Sequence, residues 1–218
     1  MADALAAVVI GDVVSSKRHP DRAGAQELLV AGLRRVDQLV PGVQPLEVTI
    51  GDEFQGAYPS IAEATLVALL VRLELLPAID TRYGLGWGAV TVFDLRRRPF
   101  SQDGPAWWAA RNAIAEAKER SRQPRSRSLR TWFAADPEAA AATAPAAYVN
   151  AFLLCRDSAV GRLSERGGRL LRGLMAGQSQ ADIAQSEGIS QSAVSQQLSR
   201  SGAYAIRDAH AELAGVLS

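Results

Sequence analysis

Hydrophobic positions along the chain change period several times, and each change predicts an element. "LAAVVIGD", residues 5–12, is a short β-branched run stopped by Gly11-Asp12, the pattern of a buried strand. From Arg22 to Val40, Leu29, Leu33, Val36 and Val40 recur at helical spacing and mark one face of a helix closed by Pro41-Gly42. "LEVTI" and "EFQGAY" predict two short strands joined through Gly51-Asp52, a dipeptide suited to a tight hairpin. Ser60 caps a second helix carrying Leu66, Leu69, Leu70 and Leu73, which ends near Pro77. "TRYGLGWGAVTVF" predicts a long strand in which Gly84, Gly86 and Gly88 leave room for close backbone approach. Asp103-Gly104-Pro105 opens a third helix, with Trp107, Ala110, Ile114 and Ala117 on its inner face. A basic loop, "KERSRQPRSRSLR", and a last strand, "LRTWFA", follow.

This order, β-α-β-β-α-β with one more helix and strand, predicts an α+β, ferredoxin-like domain with an antiparallel sheet and helices on one face. It would occupy residues 1–135. Residues 136–147, rich in alanine and proline, read as an interdomain linker or capping helix. Residues 148–218 are helical throughout and form an expected second, all-α domain. No internal repeat is visible.

Within that second region, "QADIAQSEGISQSAVSQQLSR" has the spacing of a helix-turn-helix. Ala184 is small where two helices would cross, and Gly188 supplies the turn. Ile183, Ile189 and Val194 lock the pair, Ser190 caps the second helix, and "RLLRGLMAGQS" supplies the supporting helix. The stretch resembles the helix-turn-helix of sigma-factor region 4 and of LuxR-type regulators, which implies DNA as a partner. Its second helix would expose Gln191, Ser192, Ser195, Gln196, Ser199 and Arg200, side chains suited to base edges and phosphates. A helical hairpin used for packing or protein contacts is the alternative. From Arg156 onward there are seven arginines and six acids, so affinity for DNA would require dimerisation.

Gly51-Asp52 alone fits a plain turn, and Asp12 alone fits a polar strand end. Together they lie at neighbouring points of a ferredoxin-like sheet, where two carboxylates can converge on a hard divalent cation. "VIGDVVSS", "TIGDEFQ", "RYGLGWGAV" and "GPAWWAAR" stand in the order of the motifs of class III nucleotidyl cyclases. They are more similar still to the SatD family, in which a cyclase-like core precedes a helix-turn-helix. "GDEF" also resembles the diguanylate cyclase signature, although its flanking motifs differ. The resemblance implies that Asp12 and Asp52 hold Mg²⁺ or Mn²⁺ and that Arg111 contacts nucleotide phosphates. Two departures matter. Trp107 stands where a cyclase orients the ribose with asparagine, and Val48 where adenylate-type enzymes read the base with lysine.

Composition narrows the reading further. A formal net charge of +1 argues against wholesale electrostatic binding of nucleic acid, though local patches remain open. The single cysteine, Cys155, excludes an internal disulfide framework and sits in an apolar run that predicts a packed core thiol. The N-terminus lacks a basic leader and no run is long enough to span a bilayer, so a cytoplasmic protein without membrane contact is expected. Only two histidines occur, His19 and His210, and no Cys/His spacing suggests zinc. Arg96-Arg97-Arg98 and the six basic residues from Lys118 to Arg130 read as solvated loops, the second group alternatively as a phosphate contact. The expected protein is a homodimeric DNA-binding transcriptional regulator whose first domain senses a nucleotide or metal, without catalysis. The alternative is an active metal-dependent nucleotidyl cyclase or transferase that uses its helix-turn-helix for assembly.

Overall fold

A computed structural model describes residues 4–16, 19–94, 101–139 and 146–217. Strand β1 (Ala4–Val13) lies at the centre of the sheet. It pairs antiparallel with β3 (Phe54–Tyr58) on one side and β4 (Thr81–Asp94) on the other. Strand β2 (Gln44–Val48) lies outside β3, which gives the ferredoxin-like order β2-β3-β1-β4. The β-α-β-β-α-β core and the all-helical C-terminal region are both as the sequence pattern predicts.

Two details differ from the expected arrangement. Strand β5 (Ser101–Asp103) extends the outer half of β4, and β6 (Thr131–Ala135) pairs with its inner half in parallel. A parallel pair requires a crossover, and α3 (Pro105–Arg120) is that crossover. It therefore covers the sheet face opposite α1 (Arg22–Leu39) and α2 (Ile61–Leu75). Strand β1 shows the consequence. Ala7 and Val9 join the core under α1 and α2, whereas Ala6, Val8 and Ile10 join a second cluster with Ala106, Trp107 and Ala110. Burial on both faces explains why β1 reads as a continuous apolar run rather than an alternating one.

The glycines of β4 set how closely α3 approaches. A Cβ on Gly84 would lie 2.1 Å from the Ala110 carbonyl oxygen, and one on Gly86 would lie 2.0 Å from that of Ala106. The helix backbone rests directly on this stripe, as the sequence suggests.

Among the described residues five helices follow: α4 (Ala146–Val160), α5 (Glu165–Met175), α6 (Gln180–Glu187), α7 (Gln191–Ser201) and α8 (Ala203–Leu217). The expected linker lies partly outside the described residues, as do Arg96, Arg97 and Arg98. Helices α5 and α8 pack on α2, and one continuous apolar core runs from Val9 and Leu69 through Leu153 and Leu170 to Val194 and Ile206. That packing accounts for the near-complete burial of α2, which is apolar around most of its circumference. Glu74, at its C-terminal end, receives Arg35 of α1 at 2.5 Å and also pairs with Arg172 of α5. No helix among the described residues is long and apolar enough to cross a membrane.

Helix α4 presents a polar face inward. The Asn150 side chain accepts from the Phe133 N–H at 2.8 Å and donates to its carbonyl at 2.9 Å, imitating a neighbouring strand. Asp157 accepts the backbone N–H groups of Arg130 and Thr131, each at 2.7 Å. These contacts satisfy edge groups of β6 that would otherwise be buried without partners. Turning Asn150, Arg156 and Asp157 inward places Cys155 on the other side of the helix, where its thiol is exposed. The expectation of a packed core thiol is corrected here. It relied on the apolar run "NAFLLC", which does not show that the helix buries charge.

Candidate functional site

The hairpin between β2 and β3 closes through Thr49 N–H to Glu53 O at 2.9 Å and Glu53 N–H to Ile50 O at 3.1 Å. Gly51 occupies the first central position with φ 64°, a conformation that favours glycine. Phe54 anchors the hairpin below. Its ring lies over Gly11, where a Cβ would come within 2.2 Å of it, and meets Tyr83 edge-on at 5.9 Å. The two Gly-Asp pairs are thus interlocked. Gly11 admits the aromatic ring that fixes the turn, and the turn brings Asp52 toward Asp12.

Asp12 lies near the end of β1, opposite Arg82 of β4. Burial raises its carboxyl above the ordinary aspartate range; Arg82 opposes that shift, and the Asp52 carboxylate adds to it. Arg82 Nη2 stands 3.5 Å from Asp12 Oδ1, yet that oxygen is buried and accepts no hydrogen bond among the described residues. Lys118 of α3 lies close enough to act on Asp12 electrostatically, in the direction that favours its charged form. Lys118 was invisible as a site residue in the sequence, because it begins a basic run that reads as solvated.

Asp52 borders a cleft of about 400 Å³ that extends past Gly51 and Ser16 to His19, Arg22 and Gln26 at the start of α1. Arg111 does not line this cleft. It forms a two-pronged ion pair with Glu53, with Nη2 to Oε1 at 2.6 Å, and borders a separate hollow of about 230 Å³ beside Trp107 and Trp108. Arg111 and Glu53 stand 58 positions apart, so no local pattern in the sequence links them. Trp107 is only 6% exposed and packs with Val8 and Ile10, so it is a core residue that also walls the hollow. Val48, half-buried on β2, opposes Phe54.

The donor set at the tip is small. Among the described residues no group of three or more His, Cys, Asp or Glu side chains could hold a metal. Two converging carboxylates, one with an orphaned oxygen, still fit a hard cation such as Mg²⁺ that takes its remaining ligands from water and phosphate.

At the other end of the chain, α6 begins with a capping box formed by Ser179 and Asp182 and ends at Gly188, whose φ is 63°. Ser190 accepts the Ala193 N–H at 3.2 Å and starts α7. Ile183, Ala184, Val194 and Leu198 are buried between the helices, with Ile189 packed partly against them. This leaves Gln191, Ser192, Gln196, Ser199 and Arg200 exposed and Ser195 half-buried on α7.

Comparison with known proteins places the first region. Solved structures similar to it include a bacterial light-regulated adenylyl cyclase, with 15% identity and a TM-score of 0.44 over 61% of this chain. That match spans 44% of the cyclase's own length. The guanylyl cyclase Cya2 matches with 11% identity and a TM-score of 0.42, over 53% of this chain and 71% of that one. A double mutant of the guanylyl cyclase domain of the RhoGC fusion protein from Blastocladiella emersonii matches with 17% identity and a TM-score of 0.42, over 52% and 74%. No curated protein sequence matches. The SatD family model matches residues 6–127, more than half of the 218 residues, and the chain belongs to the SatD family.

Proposed function

We propose that this protein is a DNA-binding transcriptional regulator whose cyclase-like domain senses a nucleotide through a divalent metal at Asp12 and Asp52. The observation that carries the reading is the α6–α7 pair: a buried apolar seam, a left-handed glycine turn, and an outer face of α7 made of Gln, Ser and Arg. Such a face suits base edges and phosphates, and most of it is exposed among the described residues. A homodimer would place two such helices on successive half-sites and raise affinity through effective concentration.

At the sensing end, Mg²⁺ or Mn²⁺ would bind the two carboxylates and supply charge neutralisation for nucleotide phosphates. Arg22 and Lys118 flank this region and favour anions. Arg111 reaches phosphate only by releasing Glu53. Orienting a ribose hydroxyl for in-line attack can account for about 7–11 kcal/mol of a barrier. Trp107 is packed in the core, its indole N–H without a hydrogen-bond partner among the described residues, and it has no amide to orient the ribose as asparagine would. Sensing is therefore favoured over cyclisation.

The test is a mobility shift with DNA upstream of the protein's own gene. Gln196→Ala with Arg200→Ala should abolish the shift and leave the melting temperature within a degree or two, since each base contact is worth about 1–3 kcal/mol and exposed residues add little to folding. Undiminished DNA binding by the double variant rejects this reading of α7. A cyclic product formed from ATP or GTP with Mn²⁺, and lost in Asp52→Ala, would make the chain an enzyme.

A further inference from the structure

Apart from the hairpin tip, a cleft lies where the C-terminal helices meet the sheet domain. It measures about 530 Å³ and is bounded by the end of α2, the basic loop at 124–130 and the α4–α5 corner. Six arginines line it: Arg72, Arg125, Arg127, Arg130, Arg162 and Arg169. Only Asp80 and Glu165 among its lining residues are acidic, and Asp80 is engaged by Arg72 at 3.1 Å and Arg130 at 2.6 Å. Arg169 is held by Glu187 at 2.8 Å.

The remaining three arginines have no carboxylate partner among the described residues. Arg125 and Arg127 stand exposed on the loop, and the Arg162 guanidinium donates to the Ser158 hydroxyl at 2.8 Å. Arg72, with 5% of its side chain exposed, is held by Asp80 and, through Nη1, by Asp157 at 3.8 Å, so it walls the cleft without adding free charge. The guanidinium groups of Arg125, Arg127 and Arg162, uncompensated on one concave surface, form an electrostatic trap for phosphate, which arginine binds with paired donors. Leu73, Leu76, Pro77 and Leu163 add apolar wall. The volume and mixed lining suit a small organic ligand.

We propose that this junction cleft binds a small phosphorylated molecule carrying an apolar or planar group, of the nucleoside phosphate class, without a metal. Arg125 and Arg127 belong to the sheet domain, and Arg162 belongs to the corner that leads into α5. A ligand gripping both sides ties the placement of the C-terminal helices to its occupancy, a coupling between two sites of the chain. Arginine supplies the charge that a cation supplies at the hairpin tip, so the two sites respond differently to chelator.

Calorimetry with ADP and with inorganic tripolyphosphate, in buffer containing EDTA, separates them. Binding of ADP or tripolyphosphate should survive EDTA and Asp52→Ala, and should weaken at least about tenfold in Arg125→Ala/Arg127→Ala, which removes two charge-assisted contacts. Arg34→Ala/Arg207→Ala, which removes the same charge elsewhere, should bind as the wild type does. Absence of binding by the wild type in EDTA overturns the proposal, as does equal weakening by both double variants. If Arg125→Ala/Arg127→Ala binds ADP and tripolyphosphate normally but loses duplex DNA, the loop contacts the nucleic-acid backbone, and the proposal also fails. Loss of binding in Asp52→Ala alone would locate the ligand at the hairpin tip instead.

Discussion

Two aspartates, Asp157 fully buried and Asp12 half-buried, face arginine in this protein, and they are treated oppositely. Asp157, at the seam between α4 and β6, has a side chain with no exposure and accepts four hydrogen bonds: two from backbone N–H groups and two from Arg156. Arg156 in turn donates to the Thr65 carbonyl at 3.1 Å and to the Thr131 hydroxyl at 2.5 Å. Asp12 Oδ1 stands 3.5 Å from Arg82 but accepts no hydrogen bond among the described residues, and the carboxyl lies near a second carboxylate that repels it. A carboxylate with every acceptor used holds structure together. One left short of donors beside a like charge is where we propose that a cation binds.

The contrast can be broken most severely at the seam. Asp157→Ala should destabilise the protein by about 3–5 kcal/mol, because it strands Arg156 in the interior and leaves two strand N–H groups unpaired. Urea unfolding should show a large drop in midpoint. A change no larger than that of an exposed substitution would show that the seam does not hold the two regions together. Asn150→Ala removes the pseudo-strand contacts of Phe133 and should cost about 1–3 kcal/mol in the same experiment.

Asp12→Asn sharpens the other side. Burial has raised the Asp12 carboxyl, so stability is lost as pH rises from the ordinary aspartate value through the raised folded-state one, and the ionised form carries the full cost above it. Removing that charge also deprives Arg82 of a partner, so the net change in melting temperature at neutral pH should be small. Mn²⁺ binding, followed by calorimetry, should weaken at least about tenfold. Unchanged metal affinity would show that the orphaned oxygen of Asp12 is not a ligand.

The smallest effect is expected at His210 on α8, beside Phe152 and influenced by Arg156. Burial and then Arg156 lower its pKa from 6.5 to about 4. The unfolded chain therefore takes up this proton first as pH falls. Its neutral form contributes stability that is complete above 6.5 and lost progressively toward 4. His210→Leu should flatten the dependence of melting temperature on pH across that window. An unaltered slope would show that His210 titrates normally.

The sequence by itself determined the elements of the sheet domain and the chemistry offered at its tip. Periodicity located α1, α2 and α3, and the glycines at 84, 86 and 88 announced a close approach that α3 makes. Asp12 and Asp52 could be paired because short strands and a tight turn leave few places for their side chains. The helical pair around Gly188 was legible for the same reason, since caps and turn residues act locally. Tertiary structure alone decided the rest. The ion pair of Arg111 with Glu53, the position of Lys118 near Asp12 and the arginine-lined cleft all join residues remote in sequence. Helix α4 shows the limit most clearly: hydrophobicity suggested that Cys155 faces the core, but the unpaired edge of β6 drew Asn150 and Asp157 inward instead. Local patterns record what a residue prefers, whereas a buried strand edge imposes a demand that only its three-dimensional neighbours can meet.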